Sequence, residues 1–461
     1  MPNLLAMLGS TGGALDVYQQ ALSIAQNNIS NASTPGYASQ SLNLEAMPVD
    51  TNSCLGGGLQ SAGLDNSRDQ YAEEQVQRQT QTLGQFTAQA QTTDSIQTLF
   101  DASGSSGVAA NLTSLFQSFS AWSVNPNDAT AQQTVINSAT TVAASIQTLA
   151  DSLSQNAQQL DGSIASTTSQ INTIAKQIQA YNAVRVTETT ADPGQDAQLY
   201  SSLDNLSQLT NFSAVTQADG TVTVLLGGGS PLVIGQQQYS IGASSSPSGD
   251  EILDSQGNDI TSQIASGQLG GMLDTRNRVL GAMIGDGQQP GTFNQFATTL
   301  ANSVNQILET GTVSGGAAGQ PLFVYNAPTG SAATLAVNSA LSPGQLAPVD
   351  SSGNANGNPN QLAALENSGL PQLGGMSLTQ YFGQIASYIG NENQTATDNQ
   401  TSQQQVVAQA TSLVNQVSGV SLDDQAVDVL QFQRAYQACA QVLTTVNNLC
   451  DTLMNLIQPN A

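Results

Sequence analysis

The chain has 461 residues, only 8% of them charged, with 7 Lys and Arg against 32 Asp and Glu, a net charge of −25 and no histidine. The cations, Arg68, Arg78, Lys176, Arg185, Arg276, Arg278 and Arg434, form no cluster, so the electropositive footprint needed for nucleic acid is missing and anionic membrane surfaces are disfavoured. Without histidine there is no Ser-His or Cys-His nucleophile pair, and the commonest general base and zinc ligand are lost.

Hydrophobic residues make up 39% of the chain and recur periodically, and the length suits about three domains. No apolar run approaches a membrane span. Met1-Pro2-Asn3 lacks the basic region of a secretory signal, so the expectation is a cytosolic chain or one that leaves the cell without a cleaved signal.

Leu8, Leu15, Leu22 and Ile29 form a seven-residue row, with Leu4, Thr11, Tyr18 and Ala25 beside it. That narrow a/d stripe suits a partner helix better than a globular core. The helix is expected to end near Asn31, because Pro35 disfavours helix at Thr34 and Pro35-Gly36 fits a type II turn before Tyr37.

Residues 38–70 read as a Gly- and Ser-rich connector with some extended structure, holding Cys54 in a loop. A heptad restarts at Val76, Leu83 and Ala90, and a shorter apolar helix runs through Leu112, Leu115, Phe116 and Phe119 to Trp122. After Pro126-Asn127-Asp128, apolar residues fall at Val135, Ala139, Val142, Ile146, Leu149 and Leu153, then at Leu160, Ile164, Ile171, Ile174, Ile178 and Tyr181. The spacing alternates three and four with one stutter near Gly162. It predicts a helix of about 55 residues, roughly 80 Å long, and therefore a rod.

The period then changes to two. Phe212-Ser213-Ala214-Val215, Asp219-Gly220 and Thr221-Val222-Thr223-Val224-Leu225 spell a hairpin. Further short strands are expected at Leu232–Ile234, Tyr239–Ile241, Leu322–Tyr325 and Leu335–Val337. Helical pattern returns at Gly270–Ile284 and at Phe293–Ile307, and two helices are expected over 377–416.

Gly419 precedes the last helix, whose Asp423 and Asp424 suit an N-terminal dipole. Phe432, Cys439, Val446 and Leu453 form one row there, Ala435, Val442, Leu449 and Leu456 a second, and Tyr436, Leu443, Cys450 and Ile457 a third. Such a stripe is broad enough for more than one partner. Cys439 and Cys450 stand about 16 Å apart by helical rise, too far to bridge.

Chemistry is scarce elsewhere. The glycines at 56–58 and 227–229 lack the Lys-Ser/Thr of a phosphate loop. Asp350, Ser352, Asn354, Asn356 and Asn358 superficially resemble a calcium loop, but Ala355 and Gln361 stand where the turn glycine and bidentate acid belong. Glu73-Glu74 and Asp423-Asp424 are expected to be exposed helix surface. No cofactor, no metal and no catalytic residue is expected.

The run Asn27-Asn28-Ile29-Ser30-Asn31-Ala32-Ser33-Thr34-Pro35-Gly36-Tyr37, followed by Gln40, resembles the signature of the bacterial flagellar axial proteins of rod, hook and hook–filament junction, and most of all that of the junction members. Ser418-Gly419-Val420-Ser421-Leu422-Asp423-Asp424, Gln431–Ala438 and Asp451-Thr452-Leu453 are similar to the same family's C-terminus. Ser39 departs from the pattern, standing where an Arg is usual.

The resemblance implies a structural adapter at the hook–filament junction, not an enzyme, exported through the flagellar type III channel to an extracellular site. Implied partners are further copies of the chain in a ring, the hook protein, an adjacent hook-associated protein and an export chaperone at the C-terminal region, with no nucleic acid and no membrane. A hook or distal-rod axial protein, or a surface adhesin or enzyme exported by the flagellar route, stays open as an alternative.

The expected fold is mainly α: an elongated rod with N- and C-terminal helices pairing as a coiled coil, a long-helix bundle domain and a small inserted β domain. The expected division is an axial helix over 1–37 pairing with 420–461, a connector over 38–70, a helical rod over 71–211 and 266–419, and a β insertion over 212–265. The expected assembly interface is Leu8, Leu15, Leu22, Asn28, Ile29, Asn31, Pro35, Gly36 and Tyr37 at one end. At the other it is Phe432, Tyr436, Cys439, Val442, Leu443, Val446, Leu449 and Leu453.

Overall fold

The computed structural model describes residues 2–48, 57–100, 107–187, 192–287 and 289–457. Cys54 and the side chains of Leu456 and Ile457 lie outside the described residues.

The chain begins with α1 (Pro2–Asn31), followed by the hairpin β1 (Gln40–Ala46) and β2 (Leu59–Asn66) and by α2 (Gln70–Gln97). Next come α3 (Val108–Val124), α4 (Ala129–Thr187) and α5 (Pro193–Leu209). Strands β3 (Phe212–Thr216), β4 (Val222–Leu226), β5 (Pro231–Ile234) and β6 (Gln237–Gln238) form an antiparallel sheet in that order, and β7 (Gly242–Ser246) pairs with β8 (Gly249–Leu253). After α6 (Gly267–Asp274) a π-helical stretch leads into α7 (Gly281–Ile284), and α8 (Thr292–Glu309) follows. The short pair β9 (Phe323–Val324) and β10 (Ala336–Val337), then α9 (Gly357–Ala364), α10 (Leu378–Ser418) and α11 (Leu422–Ile457) complete the chain.

The 59 residues of α4 make the backbone of the body, about 88 Å long. Its buried side chains, Val135, Ala139, Val142, Ile146, Leu149, Leu153, Leu160, Ile164, Ile171 and Ile178, are the stripe read from the sequence. Helix period turns that stripe to one side, where α3, α5 and the β strands cover successive stretches of it. The heart of the body is aromatic. Phe100, Phe293, Phe296 and Phe382 join the end of α2 to α8 and α10, with ring centroids 5.7–6.4 Å apart.

One helix, α10, stands where two were expected. Its 41 residues begin at a capping box, with Ser377 accepting from the Gln380 amide and the Gln380 side chain accepting from the Ser377 amide. Gly383 and Gly390 each weaken a helix by about 1 kcal/mol relative to Ala. Packing on α2 offsets them through neutral polar contacts: Asn393 donates to Gln97 and Gln403 to Gln79. Elsewhere α2 is crossed by α6, where a Cβ on Gly271 would lie 2.3 Å from the Gln85 carbonyl oxygen. Only glycine permits that approach.

Asparagines fasten the irregular segments to the helices. Asn182 of α4, wholly buried, donates to the Val222 and Gly235 carbonyls at 2.8 and 2.7 Å and accepts the Val222 N–H at 2.7 Å. Asn172, Asn277 and Asn305 repeat the arrangement on Ile241, Asp250 and Phe323, each taking the N–H and C=O of one residue. An amide side chain carries both functions at the spacing of a peptide, so it substitutes for a neighbouring strand. Among the described residues Tyr239–Ile241, expected as a strand, is instead the connection between β6 and β7, held by Asn172.

The terminal pair is lean by contrast. Helix α11 packs along α1, which is also flanked by β1 and β2. Buried apolar residues there are Val17, Ala21, Ala25, Ala38 and Val446, none of which joins the main core cluster. Stability therefore falls from body to tips. In the free chain, amide hydrogen exchange is expected to be slow over 130–180, intermediate near Asn28 and fast over 4–16 and 447–457. Protection at those tips equal to that of α4, in verified monomer, would contradict this.

Candidate assembly interface

The N-terminal motif folds into a closed turn. Asn31 donates to the Asn27 carbonyl, Thr34 donates to Asn31, and the Tyr37 amide donates to the Thr34 carbonyl at 3.2 Å. Pro35 presets the first central position and Gly36 takes φ +74° at the second. A Cβ on Gly36 would lie 2.4 Å from the Ala197 carbonyl oxygen of α5, so the turn also needs glycine for its seat on the body.

Asn28 is the centre of the arrangement and is completely buried. Its Nδ2 donates to the Gln40 carbonyl at 2.7 Å and to Gln425 Oε1 of α11 at 2.8 Å. Its Oδ1 accepts the Tyr37 hydroxyl at 2.8 Å and the Gln40 N–H at 3.1 Å. All four of its hydrogen-bonding capacities are used. Burial raises the Tyr37 pKa, which keeps the hydroxyl protonated and donating. One neutral side chain thus ties helix, turn, strand and the far end of the chain.

A second crossing lies beside it. The Ser39 amide donates to the Ser418 carbonyl at 2.9 Å and the Ser67 amide to the Ser39 carbonyl at 3.0 Å. Ser418 Oγ, buried, donates to the Ser67 carbonyl and accepts the Asp69 N–H. Three passages of the chain, at residues 39, 67 and 418, are therefore bound together where the terminal pair meets the body. An open cleft of about 1130 Å3 separates α1 and its turn from the α4–α5 end, with Asn27, Thr34, Tyr181 and Gln198 on its walls.

Helices α1 and α11 run antiparallel, Asn28 meeting Gln425 while the Tyr18 and Phe432 rings lie 6.4 Å apart. On α11 Val446 is sealed, at 3% exposure, and Phe432, Tyr436, Cys439 and Leu443 are half-buried along the helix. On α1 the sealed face is Val17, Ala21, Ala25 and Asn28, whereas Leu8, Leu15 and Leu22 are half-buried and Ile29 is 40% exposed. The leucine row thus lies off the centre of the intrachain seam. Val442, at 41% exposure, and Leu449, at 49%, point outward, and Leu453 is exposed as well. Asn31, Gly36 and Tyr37 are half-buried and Pro35 is exposed. Further exposed apolar residues outside the expected interface are Val406, Leu413 and Val417 on the last turns of α10, and Leu422, Val427 and Leu430 on α11.

Glu73 corrects an expectation. It is buried and bound to Arg68 at 2.7 Å, while Glu74 stays exposed and faces Arg78 one turn along. Neighbours in sequence on a helix point to different sides, and only Glu73 faces the joint. The Asp350 loop is a turn closed on itself: the carboxylate accepts from the Ser352 and Asn354 amides and the Asn354 side chain, which hold its pKa below the usual range. Sequence reasoning missed Gln425, Ser67 and Ser418 as joint residues. Gln425 meets Asn28 across 397 positions, and no local pattern signals such a contact.

The family described as the flagellar hook-associated protein FlgK helical domain matches residues 93–323, and that described as the flagellar basal body rod FlgEFG protein C-terminal region matches 414–456. The chain is 24% identical to flagellar hook-associated protein 1 of Bacillus subtilis (strain 168), with 96% of each covered, and 24% identical to that of Escherichia coli (strain K12), covering 98% of this chain and 100% of the relative. In fold it is similar to the flagellar hook junction protein FlgK from Burkholderia pseudomallei, with TM-score 0.62 and 16% identity over 75% of this chain and 100% of that one.

Asn28→Asp keeps the shape of the side chain but removes both donors and sets a carboxylate against two acceptor oxygens. The terminal pair is expected to lose on the order of 3 kcal/mol, read as faster exchange at the Gln40 amide with α4 unaffected. The loss should shrink below about pH 5, where a protonated carboxyl regains a donor. Unchanged exchange at Gln40 at neutral pH would show that the clasp is dispensable.

Proposed function

This chain belongs to the flagellar hook-associated FlgK family, and we propose that it is the structural adapter of the bacterial flagellum that joins hook to filament. The observation that carries the reading is the pair of terminal helices. They are closed on each other through Asn28 and Val446, yet they leave Ile29, Val442, Leu449 and Leu453 exposed. Apolar rows on a hairpin already paired along its other face call for neighbours of matching shape.

In this reading copies of the chain assemble into a ring, with the terminal pairs forming an inner wall, the long-helix body an outer one and the β3–β8 region the exposed part. The hook protein would contact the ring on one side and another hook-associated protein on the other. The match of residues 414–456 to a rod-protein C-terminus supports a mode of terminal packing common to axial proteins. Export through the flagellar channel, with a chaperone covering the α11 rows until delivery, fits helices whose apolar rows are exposed before assembly. No described helix is long and apolar enough to cross a membrane.

Electron microscopy of a strain lacking the chain tests the role: hooks without filaments are expected, and normal filaments would overturn it. A finer test separates outer row from inner seam. Val442→Asp places a carboxylate at an exposed position, so the free chain should melt within about 1 °C of the parent. Cells carrying it should nonetheless shed filament protein into the medium. Val446→Asp buries the charge and should open the terminal pair at a cost of several kcal/mol. Normal filament counts with Val442→Asp would remove that row from the interface.

A further inference from the structure

Among the described residues, one charged side chain from outside the terminal helix pair, that of Arg68, hydrogen-bonds the terminal turn. Arg68 lies just past Ser67, at the second of the three chain passages, with its side chain 6% exposed. Its Nη2 donates to the Gly36 carbonyl at 2.5 Å, and its Nη1 to Glu73 in the first turn of α2 at 2.7 Å. The face of the guanidinium lies 3.6 Å from the centroid of the Tyr200 ring on α5. Turn, α2 and α5 are thus held by one planar group, and each contact uses a different property of it: a donor, a charge and a flat face.

We propose that Arg68 is the positioning residue that fixes the angle at which the terminal helix pair is mounted on the body. This rests on the adapter reading in one respect, because a preset angle matters most to a subunit that must enter a lattice. Ser39, where the family resemblance leads one to expect a cation, carries none; Arg68, in the link between β2 and α2, brings one to the Gly36 carbonyl of the preceding turn.

The surroundings explain why the cation cannot be removed quietly. Glu73 and Asp204 flank the site, and burial followed by the nearby Glu73 charge pushes the Asp204 carboxyl up to about 6. Burial also raises Glu73, against the pull of Arg68. Without Arg68 these acids face one another with no counter-charge. Lysine would keep the charge but lacks the second donor direction and the flat face.

The test uses the purified full-length chain with spin-labelled noncanonical residues at Ser23 on α1 and Ser169 on α4, both exposed. The parent should give one narrow label-to-label distance by pulsed electron resonance. Arg68→Lys should lose that single distance and give a broad distribution, with the helical signal and melting of the body kept. The double variant Arg68→Gln with Glu73→Gln removes both charges, relieves the unpaired acid and should melt like the parent while the distance stays broad.

A narrow, parent-like distance in either variant overturns the proposal and leaves Arg68 as a stabilising ion pair. The two readings fail separately. A broad distance together with filaments that assemble normally without the chain rejects the adapter and keeps the joint. A narrow distance in a protein whose deletion leaves bare hooks rejects only the role of Arg68.

Discussion

The structure depends on a neutral clasp between an asparagine side chain and the N–H and C=O of a single distant residue. Asn28, Asn172, Asn182, Asn277 and Asn305 each make it, and each fastens a helix to a segment that is not helical. With only 8% of its residues charged, the chain has little else with which to hold loops in register. A buried amide satisfied on both sides contributes on the order of 1 kcal/mol per hydrogen bond, and leaving its partners unpaired costs more than that. These bonds carry no net charge, so salt screens them little, which suits a protein whose fastenings must hold in variable surroundings.

The clasp at Asn28 turns two sequence ends into one element. It joins α1 to β1 and to α11, and the crossing of Ser39, Ser67 and Ser418 then attaches that element to the body. The terminal pair buries one face and exposes another. Val442 and Leu449 stay exposed on it, while the body keeps its own aromatic and aliphatic core. A subunit with a self-sufficient body and an unfinished end is suited to joining a growing structure at its tip.

The long elements are legible in the sequence because periodicity is a local property. The α4 stripe from Val135 to Ile178 repeats on one face, and Asp219-Gly220 marks the β3–β4 turn through its own backbone demands. The Pro35-Gly36 turn is readable for the same reason. Rotation of a helix about its axis is harder to read. Leu8, Leu15 and Leu22 look like the seam, yet the sealed face of α1 is set by the small Ala21 and Ala25, which allow close approach, and by Asn28. Glu73 and Glu74 look equivalent until α2 meets Arg68. The continuity of α10 through Gly390 depends on α2 lying alongside, and the link from Asn28 to Gln425 spans nearly the whole chain. What stayed hidden is what tertiary contact decides.

The central claim is that each subunit closes its own ends and offers the remaining rows to its neighbours. A cryo-electron microscopy map of the assembled hook–filament junction, resolved to side chains, tests it most directly. The account predicts α1 and α11 of one subunit antiparallel to each other, density joining Asn28 to Gln425 of the same chain, and Val442 and Leu449 covered by adjacent copies. A map in which α1 pairs with α11 of a different subunit, or in which Val442 and Leu449 face open solvent, would contradict it.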